Sequence, residues 1–311
     1  MTSDNLHSFS VPKTNLAIVF SKVTMSIAFN KVLVTGAAGA LGSILRQGLK
    51  PHVKSLRLSD IKPFNDPLPS EDIVLCDLAN KSAVEQLVAG CDAIVHFGGV
   101  AVERPFEEVL EGNIKGIFHI FESARKNGVK RVVFASSNHA IGFHKVEDTI
   151  DSNCLQMPDS YYGLSKAYGE NMARFYWQRY GIESVCLRIG SSFPKPLDKR
   201  MLVTWLSYRD MTELVRCSLA APKVDHTIAY GVSNNRDKWW DNVGAAHLGY
   251  VAQDSTEAWR SEMEALPGLP DTDPAVRFHG GGYTKMGPFS DRKSTRLNSS
   301  HRNTSRMPSS A

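Results

Sequence analysis

No apolar stretch in these 311 residues approaches the roughly eighteen needed to cross a bilayer. The longest candidate, Ile114 to Ile120, is short and carries Lys115 and His119. No membrane role is therefore expected. Cysteine is scarce: Cys76, Cys91, Cys154, Cys186 and Cys217 form an odd set without a CxxC pair. Three of them fall inside apparent strand or helix patterns, where a thiol behaves as a small apolar residue. Neither a disulfide framework nor a metal site is expected, and a reducing, cytoplasmic setting is. Excess charge is missing from the body of the chain. The net +4 resides in residues 291–311, where Arg292, Lys293, Arg296, Arg302 and Arg306 outnumber the lone acid Asp291. A neutral body offers no general footprint for a phosphate backbone, so no nucleic-acid partner is expected. Internal repeats and linkers are also absent. What remains is ordinary globular composition, 42% hydrophobic and 22% charged, which suits one large α/β domain acting on a small molecule.

The two ends lack the periodicity of the rest. Residues 1–24 hold Ser, Thr, Asn, two lysines and the acid Asp4, but no arginine. An organelle-targeting peptide would be amphipathic and rich in arginine. The segment is expected to be an extension upstream of a start at Met25, outside the fold; organelle targeting is the alternative. The run DRKSTRLNSSHRNTSRMPSSA is polar and short of core formers. It resembles the conceptual translation of a common sequencing-adapter oligonucleotide, with Arg302 to Thr304 at the variable barcode. Residues 291–311 are expected to be a non-native tail.

From Lys31 the pattern is regular. Strands are predicted at Lys31–Thr35, Ser55–Ser59, Asp72–Cys76, Ala93–Phe97, Arg131–Ala135 and Ser184–Ile189. Helices are predicted at Leu41–Leu49, Ser82–Val88, Pro105–Lys126 and Ser160–Arg179. Short apolar strands alternating with helices imply a parallel sheet covered on both faces. Ligands of such sheets bind along the carboxyl ends of the strands.

Gly36-Ala37-Ala38-Gly39-Ala40-Leu41-Gly42 follows the first strand and opens the first helix. Gly36 permits the tight turn, Gly39 lets a pyrophosphate approach, and Gly42 allows close helix–strand packing. Ala40 and Leu41 place free N–H groups at the helix start. Asp60 ends the second strand about twenty residues on, where an acid accepts a ribose 2′-hydroxyl and repels a 2′-phosphate. NAD is therefore expected over NADP, although Arg57 and Lys62 lie nearby. Asp77 and Leu78 follow the third strand and are placed beside the adenine; for Asp77 a helix-capping role is the alternative.

Tyr162 and Lys166 stand at i and i+4, stacked on one helix face. An ammonium there lowers the phenol pKa and lets Tyr162 take a hydroxyl proton near neutral pH. Ser136 and Ser137 leave the fifth strand, and Ser137 is the preferred partner for Tyr162. His139 is either a second acid or base, or a substrate-positioning or structural histidine.

These motifs together, GxxGxxG, the strand-end acid, SSN and YxxxK, resemble the extended short-chain dehydrogenase/reductase family, which includes nucleotide-sugar epimerases and dehydratases. The strings VHFGGVAVERPFE, FASSNHAIG, YGLSKAYGEN and LRIGSSFPKP, with Arg200-Met201-Leu202 and Trp239-Trp240-Asp241-Asn242, are similar to its uronate dehydrogenase group from about Lys31 to Phe289. The resemblance implies a Rossmann-type doubly wound parallel sheet with a small C-terminal substrate-binding region. Residues 25–190 would form the NAD-binding core with the catalytic residues, and 191–290 the substrate-binding part of the same domain. It implies oxidation of a cyclic hexuronate at the anomeric carbon to an aldarolactone. Tyr162 would be the base and Lys166 its partner, also holding the nicotinamide ribose. Ser137, Asn138 and His139 would touch the sugar, and Ser191 and Arg200 its carboxylate. Asn113 would shape the active-site helix. Ala101 departs from the group, which carries a serine there, and removes one hydrogen bond to substrate. A homo-oligomer is a further expectation. On the residues alone, Arg200 also reads as a surface charge, and Trp239 and Trp240 as core or interface aromatics. A nucleotide-sugar epimerase or dehydratase, and a non-catalytic NAD-sensing regulator, are the rival functions.

Overall fold

The computed structural model describes residues 26–287 and Phe289. Residues 1–24 and 291–311 lie outside the described residues. The chain alternates strand and helix: β1 (Lys31–Thr35), α1 (Ala40–Leu49), β2 (Ser55–Asp60), β3 (Asp72–Leu75), α2 (Lys81–Val88) and β4 (Ala93–His96). Then follow α3 (Phe106–Val109), a π-helical turn (Leu110–Lys115), α4 (Gly116–Lys126), β5 (Arg131–Ser137), α5 (Tyr161–Tyr180) and β6 (Glu183–Ile189). Next come α6 (Met201–Thr204), α7 (Tyr208–Ala220) and β7 (His226–Gly231), and among the described residues beyond β7 the helical segments are short.

Among the described residues seven strands pair in parallel, in the order β3-β2-β1-β4-β5-β6-β7. The order reverses between β1 and β4, the point at which doubly wound sheets open a crevice. Strands β1, β4, β5 and β6 read as runs of Val, Ile, Leu and Ala because both faces are covered. One face packs on α1 and α7 through Leu45, Leu49, Met211, Leu214 and Val215. The other packs on α2, α4 and α5 through Val84, Ile117, Phe121, Ala173 and Tyr176. Among the described residues no helix is long and apolar enough to cross a membrane. All five cysteines are free thiols.

Two differences from the sequence expectation matter. The long helix over Pro105–Lys126 is interrupted by the π-helical turn at Leu110–Lys115, a widening that periodicity does not report. The seventh strand, β7, comes from the segment expected to serve the substrate, so that segment also extends the sheet.

Candidate active site

A cavity of about 750 Å³ runs along the carboxyl ends of the strands. Its floor is the glycine loop between β1 and α1. Gly36 has φ +71°, and a Cβ there would stand 2.6 Å from the Phe97 carbonyl. A Cβ on Gly42 would stand 2.0 Å from the Gly36 oxygen. Both positions therefore demand glycine, one for conformation and one for close approach. Gly39 caps α1 without a side-chain bond. The N–H groups of Ala40, Leu41 and Gly42 occupy the first turn, where a helix supplies no acceptor of its own. They form a ready anion site with the positive end of the helix dipole.

The Asp60 carboxylate accepts from Ala38 N and Lys62 N, both at 3.0 Å, and lines the same cavity. Arg57 is turned away: it bonds Asp72 at 3.0 Å and the carbonyls of Leu87 and Ala89. It is thereby removed as a partner for a 2′-phosphate. Asp77 and Leu78 line the cavity as well. The capping alternative for Asp77 is corrected: Asn80 caps α2, accepting from Ala83 N at 3.1 Å, while Asp77 bonds Ala79 N at 2.9 Å. The residue types and the glycine cradle fit a dinucleotide pyrophosphate and its ribose.

On the opposite wall, α5 carries Tyr162 and Lys166. Two devices hold the helix. Gly169 lets it approach β5, since a Cβ there would stand 2.4 Å from Phe134. One turn past Lys166, Glu170 pairs with Arg188 of β6 through two bonds of 2.9 Å and accepts from Ser136 at 2.6 Å. A pair this buried would be costly to break by removing one partner, about 3–5 kcal/mol. The helix start is tied by Glu103, whose buried carboxylate accepts from Tyr161 N at 3.1 Å and Tyr162 N at 2.7 Å. Ser160 accepts from Gly163 N at 3.0 Å. Burial pushes the Glu103 carboxyl up, and these backbone bonds oppose it.

Lys166 Nζ donates to the Ala135 carbonyl at 2.7 Å and stands 5.4 Å from the Tyr162 ring centre. Ser137 lies beside the Tyr162 phenol, and its side chain accepts from His139 N at 3.2 Å. The expected lowering of the Tyr162 pKa by Lys166 is corrected. Burial pushes the phenol above its ordinary range, with Tyr283 and Asp159 adding to the rise and Ser137 opposing it. Burial also brings the Lys166 ammonium down to about 8. Desolvation penalises both charged forms and is the largest cause of each shift.

Of the residues assigned to substrate, Ser137 lines the cavity, whereas Asn138, His139, Ser191 and Arg200 do not; Arg200, Ser191 and Asn138 form a connected group beside it. Arg200 Nη1 donates to Ser191 Oγ at 3.3 Å, and Ser191 Oγ lies 3.0 Å from Thr204 Oγ1. With its amide oriented to satisfy both neighbours, Asn138 donates to Ile189 O at 3.1 Å and accepts from Arg200 Nη2 at 2.7 Å. Arg200 Nε donates to the His279 carbonyl at 2.9 Å, and Nη2 bonds the same oxygen. That edge of the guanidinium is thus engaged, and the Nη1 end meets the hydroxyls of Ser191 at 3.3 Å and Thr204 at 3.5 Å, its two longest contacts. Arg200 also lies 6.0 Å over Trp239, and burial lowers its pKa. The surface-charge reading of Arg200 is therefore set aside. Trp240 is buried in a small cluster with Tyr230 and Ile141. His139 bonds Asp159 at 2.7 Å and stacks on Tyr283 with ring centres 3.7 Å apart. Ala101 sits on the cavity wall.

Four participants had no sequence signal strong enough to single them out: Glu103, Asp159, His279 and Tyr283. Asn113 uses its whole amide structurally, accepting from Val100 N at 2.7 Å and donating to Val100 O at 3.1 Å and Ser165 Oγ at 2.9 Å. Among the described residues no cluster of His, Cys, Asp and Glu is arranged to hold a metal ion.

Comparison with known proteins agrees with this layout. The profile of the NAD dependent epimerase/dehydratase family matches residues 32–207. A uronate dehydrogenase of Pseudomonas syringae pv. tomato is 54% identical over 270 residues, covering 86% of this chain and 98% of that protein. The crystal structure of a glucuronic acid dehydrogenase from Chromohalobacter salexigens is 46% identical, with a TM-score of 0.81 over 83% of this chain and 98% of its own. That of an Agrobacterium tumefaciens uronate dehydrogenase, a tyrosine-to-alanine mutant complexed with NAD, is 42% identical. Its TM-score is 0.81 over 84% of this chain and 99% of its own.

Proposed function

The chain belongs to the NAD dependent epimerase/dehydratase family, and within it we propose an NAD-dependent dehydrogenase that oxidises a hexuronic acid, D-galacturonate or D-glucuronate, at the anomeric carbon to an aldarolactone. One observation carries the reading: Tyr162, Lys166 and Ser137 line the same cavity as the glycine loop, on the carboxyl edge of the sheet.

NAD⁺, when bound, supplies the hydride acceptor. Gly36, Gly39, Ala40, Leu41 and Gly42 would hold its pyrophosphate, Asp60 its ribose, and Asp77 and Leu78 its adenine. Lys166 would hold the nicotinamide ribose and keep a positive charge near the phenol. Tyr162 would take the proton of the anomeric hydroxyl in its phenolate form, which burial disfavours and Ser137 favours, and Ser137 would align that hydroxyl. Asn138 and His139 contact the sugar. Arg200, through its Nη1 end, and Ser191 receive the uronate carboxylate, a charge-assisted contact in a partly desolvated place. The chain's own contribution is alignment and charge placement.

The rivals fit less well. The likeness to uronate dehydrogenases runs nearly their whole length, which leaves little extra chain to grip a nucleotide-sugar. A regulator that only senses NAD would have no use for the Tyr162–Lys166–Ser137 arrangement. The free, mostly buried thiols suit a reducing cytoplasmic setting. Exposed Phe118 on α4 and Leu164 and Phe175 on α5 support self-association into a homo-oligomer. The test is NADH absorbance with galacturonate, glucuronate, a neutral aldose and a UDP-sugar, each with NAD⁺ and NADP⁺. Turnover of a free uronate with NAD⁺ is expected. Turnover of the UDP-sugar alone would overturn the proposal.

A further inference from the structure

Asp159 is completely enclosed, and the chain has been shaped around it. A Cβ on Gly142 would stand 1.9 Å from its Oδ2, one on Gly280 1.8 Å from the same oxygen, and one on Gly163 3.1 Å from Oδ1. Three glycines from separate parts of the chain therefore leave room for this carboxylate. Ser160 Oγ donates to Oδ1 at 2.7 Å, and His139 Nδ1 stands 2.7 Å from Oδ2. A carboxylate only accepts, so the His139 proton lies on Nδ1 and a neutral ring keeps its lone pair on Nε2.

The ring itself is fixed from two sides. Tyr283 stacks on one face at 3.7 Å and 20°, and the Tyr162 ring meets it edge-on at 5.8 Å. Tyr283 is brought there by the pairing of Gly280 N with Gly142 O at 2.8 Å and His279 N with His144 O at 2.9 Å. The imidazole thus sits beside the proposed base with one nitrogen committed and the other open.

We propose that Asp159 is a positioning residue: it fixes the tautomer and plane of His139 so that Nε2 accepts a hydrogen bond from one hydroxyl of the sugar beside Tyr162. The proposal rests on the dehydrogenase reading for the identity of the sugar, and on geometry alone for the tautomer. It also gives the two rings different jobs, Tyr162 handling the reacting hydroxyl and His139 reading a neighbouring one.

The test has two arms. In the first, Asp159→Asn lowers kcat/KM for the hexuronate roughly 10- to 100-fold, as for one hydrogen bond lost or reversed. The loss lies mainly in the KM for sugar, with NAD⁺ affinity unchanged. Combined with His139→Gln it produces no further loss, because both changes remove the same contact. Additive losses would overturn the proposal and leave Asp159 a purely structural acid. In the second arm, ¹⁵N NMR of histidine-labelled protein, with His139 assigned by its absence in His139→Gln, shows a proton on Nδ1. A proton on Nε2 in the neutral ring would overturn it. If Asp159→Asn does not fold, this arm decides alone. If no uronate is turned over at all, the dehydrogenase reading fails, while the tautomer still reports on Asp159.

Discussion

Two regions are built on different principles: the cavity wall proposed for the cofactor, and the side-chain cluster proposed for the substrate, whose members Arg200, Ser191, Asn138 and His139 stand outside the cavity lining. The cofactor wall is backbone: a seven-residue loop, a helix start and the strand-end acid Asp60, with its key contact between Ala38 and Asp60 spanning 22 residues. The substrate cluster is side chain against side chain, gathered from far apart. Glu103 reaches Tyr162 N across 59 positions, and Arg200 reaches the His279 carbonyl across 79. Backbone cradles recognise what all dinucleotides share, a pyrophosphate and a ribose. Side-chain constellations recognise one substrate, and each member can be lost separately. Damage to the first region should abolish binding of the cofactor, and damage to the second should change chemistry or preference while leaving the cofactor in place.

The sharpest break is Tyr162→Phe. It removes one oxygen from the substrate side, and kcat is expected to fall about 10²- to 10⁴-fold, the usual contribution of a positioned base. Calorimetry should find NAD⁺ affinity unaltered. Retained turnover would sink the assignment of the base. Next in size is Gly42→Ala on the cofactor wall. With its Cβ forced 2.0 Å from the Gly36 oxygen, the loop must shift. NAD⁺ binding is expected to weaken roughly 100-fold, about 3 kcal/mol. Unchanged NAD⁺ affinity would show that the loop does not carry the pyrophosphate.

Arg200→Ala sharpens the contrast within the substrate cluster. The KM for uronates should rise roughly 10- to 100-fold, as when a charged hydrogen-bonded partner is lost. Neutral aldoses should respond far less, and an equal response would argue against a carboxylate clamp. Arg200→Lys should recover part of the affinity, since the charge returns while the grip on the His279 carbonyl does not.

The same division explains what could be read in advance. The glycine loop, Asp60 and the YxxxK pair are local patterns, and six strands and four helices follow from short-range periodicity. The substrate cluster was legible only where a familiar string marked it, as at Ser137 to His139, Ser191 and Arg200. Glu103, in a charged stretch ahead of a helix, looks like any surface acid; its burial depends on α5 folding over it. Asp159 looks like a helix-start residue beside the true cap, Ser160. Tyr283 lies in a glycine-rich segment whose placement depends on pairing with residues 142–146. The balance of charge effects was also hidden: an i,i+4 ammonium promises a more acidic phenol, but burial, which spacing does not encode, works the other way.

Lys166 stands where the two regions meet, and it provides the smallest and most discriminating effect. Its ammonium is buried, and its pKa falls from 10.5 to about 8. Below about 8 the folded and unfolded chains are both protonated, and the full penalty of burying the charge is present. Between about 8 and 10.5 the unfolded chain holds more protons than the folded one, so the Lys166 contribution to stability improves as pH rises. Lys166→Met removes the buried charge but leaves the Ala135 carbonyl without its donor. The net expectation is a gain of about 1–2 kcal/mol in unfolding free energy at pH 7, alongside loss of turnover. Urea unfolding at pH 7, 9 and 10 should show that gain shrinking as pH increases. A gain that stays constant would mean that Lys166 is not destabilised by burial, and that its charge is held for the cofactor at no cost to the fold.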